Sequence, residues 1–309
     1  MLFIKAVQCY IPNEVVLIDT FQSDTYFPLS MVKIFKLFHG VKTVAVCRDL
    51  TMFALLCKPI EKLMQVTGDS LTHLDYFIHA HTSQLLVPFG RSLMLELKEH
   101  FGFHQAITFG TSLYKCVSAI KLFEVLSILF QARTGMNAII LTGEIAFTPE
   151  LRILPRTAVV GDAAAAVWVT NEAGDHQLLS VTVHLEKGYS KGLYLSDEES
   201  KAFEALFFST LKKVISETLI KAGLALSDIA LILPHNVNHA VWRNMAILLQ
   251  YPLHQVFTDN ISTLGHCFSA DALINLVSAE AAGRLKKGDY YLMVGCGMGF
   301  FFGCAVFRY

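Results

Sequence analysis

The chain predicts an α/β fold in which two duplicated halves bury a shared central layer of helices. Two observations predict it. Apolar strand-like runs alternate with helical segments from end to end, and three local patterns recur in the same order about half a chain apart. Composition agrees. The 309 residues are 53% hydrophobic and only 17% charged, with a formal net charge of −1, values of a chain that folds around a large core.

The elements follow in chain order. Phe3–Cys9 opens as a strand, and short apolar runs place further strands at Tyr76–His81, Ala106–Phe109, Ala138–Thr142, Ala163–Val169, Leu179–His184, Ile229–Leu233, Tyr290–Val294 and Phe300–Phe307. These runs show little polar alternation, as expected of strands covered on both faces. Between them, residues spaced for an amphipathic or buried helix predict Phe89–His100, Val117–Gln131, Lys201–Ala222, Ala240–Tyr251 and Ala270–Arg284. Tyr76 and Ile229, each opening a strand behind a tripeptide that contains Leu and ends in Asp (His73–Asp75 and Leu226–Asp228), stand 153 residues apart, and the basic turns before Ala138 and Tyr290 repeat near that spacing. Gly161–Val167 resembles the closing Gly297–Val306. The polar stretch Asn171–His176 is the natural seam, giving halves over 1–170 and 177–309.

Several function classes are excluded. A balanced charge gives no basic surface for nucleic acid. Mean hydropathy is high, +0.47, but no run of about 18 uncharged apolar residues exists, and no leader-like segment precedes the first strand. Seven cysteines without a C-x-x-C pair read as reduced thiols of a cytoplasmic protein and provide no zinc spacing. His79 and His81 alternate along a strand without a visible third ligand, so no metal is expected.

Four segments can carry chemistry. Thr108–Ala119 sets Cys116 where a loop enters a buried helix, and a helix start favours a thiolate and offers N–H groups to an oxyanion. Leu231–Asn238 ends a strand in Pro-His-Asn, which puts His235 at the C-terminal strand edge where open sheets bind ligands. Leu264–Asp271 precedes the helix that answers the one after Cys116, so a two-fold relation between the halves brings His266 to Cys116. Gly295–Gly299 is a glycine turn that lets backbone approach a ligand, although it lacks the features of a phosphate loop.

Taken together, these segments resemble the thiolase superfamily, and most closely its β-ketoacyl-acyl-carrier-protein synthase III branch. The resemblance runs from Ile4–Pro12 to Gly299–Phe307. It is carried by Gly161–Ala165 (like G-D-G-A-G), Pro234–Asn238 (like P-H-Q-A-N) and Gly297–Phe300 (like G-G-G-F). It implies a thiolase-like duplicated α-β-α-β-α layered fold, with Cys116 as acyl-accepting nucleophile and His235 as a catalytic histidine. The family's catalytic asparagine falls on His266, a departure that leaves decarboxylative condensation and plain acyl transfer both open. The oxyanion hole would be the N–H groups of Cys116 and Met298, with Gly297, Gly299, Asn238 and Phe300 against the substrate.

No permanent cofactor is implied; acyl-coenzyme A or a phosphopantetheine-linked acyl group is substrate, and a homodimer or a heterodimer with a related subunit is expected. The stretch Phe38–Met52 is short where the family holds coenzyme A. Lys33, Lys36, Lys42 and Arg48 nearby read as a solvated basic face. Two of Phe300, Phe301 and Phe302 are expected to be strand core. A non-catalytic partner subunit is the other reading; a dehydrogenase is disfavoured by the missing dinucleotide fingerprint.

Overall fold

A computed structural model describes residues 1–71 and 73–309. Its strands are β1 (Leu2–Tyr10), β2 (Val15–Leu17), β3 (Thr43–Ala45), β4 (Tyr76–Ala80), β5 (Ile107–Thr111), β6 (Asn137–Glu144), β7 (Ile153–Leu154), β8 (Ala158–Val159), β9 (Ala163–Thr170), β10 (His176–Leu185), β11 (Ile229–Pro234), β12 (Tyr290–Gly297) and β13 (Phe301–Arg308). Its α-helices are α1 (Leu29–Ile34), α2 (Met52–Thr67), α3 (Leu93–His100), α4 (Ser118–Leu129), α5 (Pro149–Arg152), α6 (Asp197–Ala222), α7 (His239–Leu249), α8 (Ile261–Leu264) and α9 (Asp271–Ala281).

Nine strands form one sheet, ordered β11-β12-β13-β10-β1-β9-β6-β4-β5. The order mirrors itself about the antiparallel β1–β10 contact, which runs from Leu2↔Leu178 to Ile4↔His176. Outward from β1, two antiparallel junctions lead to β9 and β6, and two parallel ones to β4 and β5. Outward from β10, β13 and β12 follow antiparallel and β11 parallel. Val256, bridging Ile232 in parallel, then stands where a fifth strand would. Strands β4 and β11, like β6 and β12, hold equivalent places.

The sheet folds around α4 and α9. Ile120, Phe123 and Leu126 of α4 and Leu273, Ile274 and Leu276 of α9 share one core with Ile4, Ile140, Val167, Leu231 and Phe307. On one outer face α2 and α3 cover Phe77, Ile139, Leu141 and Ala166. On the other, α6 and α7 cover Leu292, Val294, Phe302 and Val306. The layers are therefore α-β-α-β-α. All eight residues of β9 are buried, because a strand covered on both faces has no solvent side to mark with polar residues.

Three helices differ most from expectation. Helix α6 begins at Asp197 rather than Lys201, because Ser196 and Glu199 form a capping box: the Ser196 hydroxyl accepts the Glu199 N–H at 3.2 Å and the Glu199 carboxylate accepts the Ser196 N–H at 2.7 Å. Helix α3 begins at Leu93 rather than Phe89; Pro88 and Gly90 form a turn, closed by Arg91 N–H to Pro88 O at 3.2 Å. Helix α2 was not expected at all. Thr51 caps it, accepting the Ala54 N–H, and it buries Leu55, Leu56, Ile60 and Leu63 despite an internal Pro59.

The central layer sets most of the stability. Phe123 is fully buried between the two halves of the folded sheet, edge-on to Phe307 at 5.1 Å, whereas Ile128 on the same helix is 62% exposed. Phe123→Ala is expected to cost about 3–5 kcal/mol and Ile128→Ala less than about 0.5 kcal/mol, compared by urea unfolding.

Candidate active site

The site forms where α4 and α9 begin. Cys116 sits in the single turn Lys115–Val117 that leads into α4. Lys115 adopts φ +52°, a left-handed conformation uncommon for a side-chain-bearing residue, which bends the chain sharply just before the thiol. Strand β12 passes close behind the bend. A Cβ on Gly297 would stand 2.4 Å from the Tyr114 carbonyl oxygen, so only glycine allows this approach.

His266 comes from the loop between α8 and α9. Its N–H donates to Val159 O and its carbonyl accepts the Gly161 N–H, both at 3.0 Å. A Cβ on Gly161 would lie 2.0 Å from Leu264 O, so this clamp too needs a glycine. The side chain then spans the gap between the halves. Nε2 lies 3.2 Å from the Cys116 sulfur and Nδ1 lies 2.5 Å from Asp271 Oδ2.

Asp271 opens α9 and is buried. Besides His266 its carboxylate accepts the Cys267 N–H at 2.7 Å and the Asn236 N–H at 2.5 Å. An acceptor-only carboxylate requires Nδ1 of His266 to carry a proton, which turns Nε2 toward the thiol. Burial alone would push the His266 pKa down; the Asp271 carboxylate and the Cys116 sulfur outweigh it and hold the imidazole well above its ordinary value. The raised pKa favours the charged ring in the fold, a stabilisation present below about pH 6.5 and lost as pH rises through the raised value.

His235 directly follows β11, as expected, and is buried near Cys116. Its Nδ1 accepts the Cys296 N–H at 3.2 Å and its carbonyl accepts the Trp242 indole N–H at 2.9 Å. Burial, and then the neighbouring His266 charge, push its pKa down to about 3. It is a neutral ring with its proton on Nε2.

Two further groups were not anticipated. Thr82 Oγ1 stands 3.8 Å from the Cys116 sulfur. The buried Glu144 carboxylate fixes this loop by accepting the N–H groups of Thr82 at 2.5 Å and Ser83 at 2.7 Å, and Lys115 Nζ donates to Thr82 O at 3.2 Å. Burial raises the Glu144 pKa, partly offset by those hydrogen bonds.

Other expected residues take structural places. Asn238 caps α7, accepting the Val241 N–H at 2.9 Å, while its amide donates to Thr157 O at 2.9 Å; both ends are engaged within the protein. Phe300 turns its ring to Tyr189 and Phe203 on the outer face. Phe302 packs there too, and Phe301 meets Tyr114 edge-on at 5.0 Å. Met298 packs its side chain on Gly192. Lys36 pairs with Asp19 at 2.8 Å and Arg48 with Glu14 at 3.2 Å, both partly exposed. His79 and His81 stack at 4.9 Å, His79 donating to Gly143 O at 3.3 Å and His81 to Ser83 O at 2.7 Å.

The cavity at the thiol, lined by Cys116, His235, Asp271, Ile120, Phe268 and Met293, encloses about 10 Å³, room for one water. A hollow of about 460 Å³ lies beside the 84–95 loop, with His79 and His81 in its wall. Among the described residues no helix is long and apolar enough to cross a membrane.

Residues 219–309 match the family model described as 3-oxoacyl-[acyl-carrier-protein (ACP)] synthase III C terminal. The chain is 30% identical over 155 residues to the β-ketoacyl-[acyl-carrier-protein] synthase III of Aquifex aeolicus (strain VF5), covering 48% of this chain and 50% of that one. With the Methylococcus capsulatus enzyme of the same name it shares 32% identity over 165 residues, at 48% and 50% coverage. The chain thus spans about half the length of the curated relatives it matches. In three dimensions it superposes on the acyltransferase ChlB3 with a TM-score of 0.86 at 20% identity, covering 99% of this chain and 97% of that one. The C-terminal part of the chain thus resembles synthase III in sequence, and the whole chain has the thiolase-like fold.

Burial of neutral histidines gives a pH signature. His79, like His235, is pushed down to about 3 by burial and then by its neighbouring histidine. Both take up a proton on unfolding below about pH 6.5, so their contribution is full above that pH and is lost toward pH 3, by about 1.4 kcal/mol per pH unit for each. His79→Gln should remove one proton's worth of that slope in urea midpoints measured against pH; an unchanged slope contradicts the buried neutral ring.

Proposed function

We propose that the chain is an acyltransferase that works through a thioester on Cys116, loaded from coenzyme A or from the phosphopantetheine arm of an acyl carrier protein. One observation carries this reading: Cys116, His266 and Asp271 form a connected set, with 3.2 Å from sulfur to Nε2 and 2.5 Å from Nδ1 to carboxylate. A thiol, a base and a group that orients the base are what nucleophilic catalysis needs.

The steps follow from these positions. In the resting pair His266 already holds the proton given up by Cys116, and the thiolate attacks the thioester carbonyl. The oxyanion is received by the N–H groups of Cys116 and Met298, held together by the Gly297 approach. The intermediate collapses to the acyl-enzyme, and the pantetheine thiolate leaves with the proton from His266. An incoming amine or alcohol then gives its proton to His266, attacks the Cys116 thioester, and releases the thiolate. Asp271 stabilises the imidazolium in both halves of the reaction.

Decarboxylative condensation with a malonyl thioester is the second reading. His235 favours it: with Nδ1 occupied by the Cys296 N–H, its Nε2 proton is a donor for a thioester carbonyl. The close sulfur–imidazole contact weighs against a non-catalytic subunit. Gly297 and Gly299 serve the reaction as backbone. The reaction calls for no resident cofactor, metal or nucleic acid.

We also read the protein as a cytoplasmic homodimer, or a heterodimer with a related subunit. The outer edge strand β5 supports association, since Ile107 is 59% exposed there and Leu113 beside it 64%.

The test is intact-protein mass spectrometry after incubation with acyl-coenzyme A and acyl-carrier thioesters. A single acyl adduct is expected, absent in Cys116→Ala, and Asp271→Asn should slow acylation by roughly 10²–10⁴-fold. No adduct across a wide acyl panel contradicts the reading. The small cavity predicts that acetyl and propionyl groups load faster than octanoyl, and that Phe268→Ala narrows the difference.

A further inference from the structure

The Cys116–His266 contact joins two loops that belong to different halves, and Gly265–Cys267 around the histidine lie outside any helix or strand. Asp271 holds this backbone from one side through the Cys267 N–H, and the segment Val159–Gly161 holds it from the other: His266 N–H donates to Val159 O, Gly161 N–H donates to His266 O, and Val160 pairs with His266 as an isolated parallel bridge. That segment is fixed in turn by a buried ion pair. Arg152, 7% exposed, reaches Asp162, 0% exposed, at 2.9 Å. The guanidinium also donates to Val160 O at 2.8 Å and Ala146 O at 2.9 Å, and the Arg152 carbonyl accepts the Val160 N–H at 2.8 Å. Asp162 accepts the N–H groups of Cys47 and Ala146, each at 2.8 Å.

We propose that Arg152, paired with Asp162, is a positioning residue that sets the distance between His266 and the Cys116 sulfur. The guanidinium is suited to it. Its planar fork reaches three oxygens at once and stays charged when buried. Because Val160 is gripped at both its N–H and its carbonyl, a shift of Arg152 moves Val160, and through the bridge it moves His266. A displacement of about 1 Å is enough to cost a catalytic contact 10²-fold. Arg152 touches neither thiol nor imidazole and acts only through this backbone.

The experiment reads the thiol directly. Iodoacetamide alkylation of Cys116, followed by peptide mass spectrometry across pH, reports how well the thiolate is supported by its neighbours, chiefly His266 and Asp271, with His235, Lys115, Glu144 and Cys296 around them. Other buried thiols do not compete, since burial pushes Cys9 and Cys304 up to about 12 and Cys57 up to about 11. In R152M the alkylation midpoint is expected to rise by about one pH unit, and Cys116 acylation to slow by roughly 10–100-fold. R152K keeps the charge beside Asp162 but not the fork, and should show a smaller shift in the same direction.

Removing one partner of a buried pair is strongly destabilising, so R152M can unfold; R152K, checked by circular dichroism, then decides alone. A folded R152K with an unchanged alkylation midpoint overturns the proposal, including where it only melts at lower temperature. The inference rests on Cys116 as acyl nucleophile, but its failure is distinct. A wild type that takes no acyl group contradicts the proposed function, while the alkylation profile still decides whether Arg152 positions His266.

Discussion

The buried Asp271 carboxylate is the interaction on which the site depends. It stands at the first residue of α9 and gathers three donors: the His266 ring, the Cys267 N–H of the loop before it, and the Asn236 N–H after β11. An unpaired carboxylate at this depth would be costly; with all three in place it is satisfied, and its satisfaction selects one geometry for the loops that meet there. His266 is thereby turned to the sulfur and His235 held beside it, and the two rings end in opposite protonation states a few ångströms apart. Separated pKa values in paired groups are how one site supplies both a charged ring that partners the thiolate and can return a proton, and a neutral hydrogen-bond donor.

The fold places that carboxylate by symmetry. Because the sheet order mirrors about β1 and β10, α4 and α9 occupy equivalent positions between the two layers of strands. Both begin at the same level, and the Ser269 hydroxyl donates to Lys115 O at 3.0 Å where they meet. One start presents the nucleophile and the other presents the acid that orients its base. Duplication followed by divergence of two helix starts is an economical route to an asymmetric site at a symmetric centre. The buried strands and the central layer together leave few positions for charge, which fits the low content of charge.

Most of this was legible in the residues. Strand positions were readable because buried strands are uninterrupted apolar runs, and the meeting of Cys116 with His266 followed from the repeat. What escaped notice escaped for physical reasons. Asp271 lies five residues after His266, but an acid in the first turn of a helix is common for dipole and capping reasons alone. Glu144 reads as the polar end of a strand until the fold shows Thr82 and Ser83 above it. Helix α2 contains Pro59, normally a breaker, and is held by packing of Leu55, Ile60 and Leu63 rather than by propensity. Phe300 and Asn238 were placed at the substrate by their neighbourhood in sequence; left-handed backbone at Phe300, φ +67°, sends its ring to the outer core, and Asn238 is committed to capping α7.

The central claim is that His266 is a charged ring held between Asp271 and Cys116 before any substrate arrives. Nitrogen-15 NMR of the His266 imidazole measures this most directly. The account predicts a ring protonated at both nitrogens at pH 7, reverting toward the neutral form when Asp271 is changed to asparagine. A ring that is already neutral at pH 7 and titrates near 6.5 in the wild-type protein, as free histidine does, would contradict it.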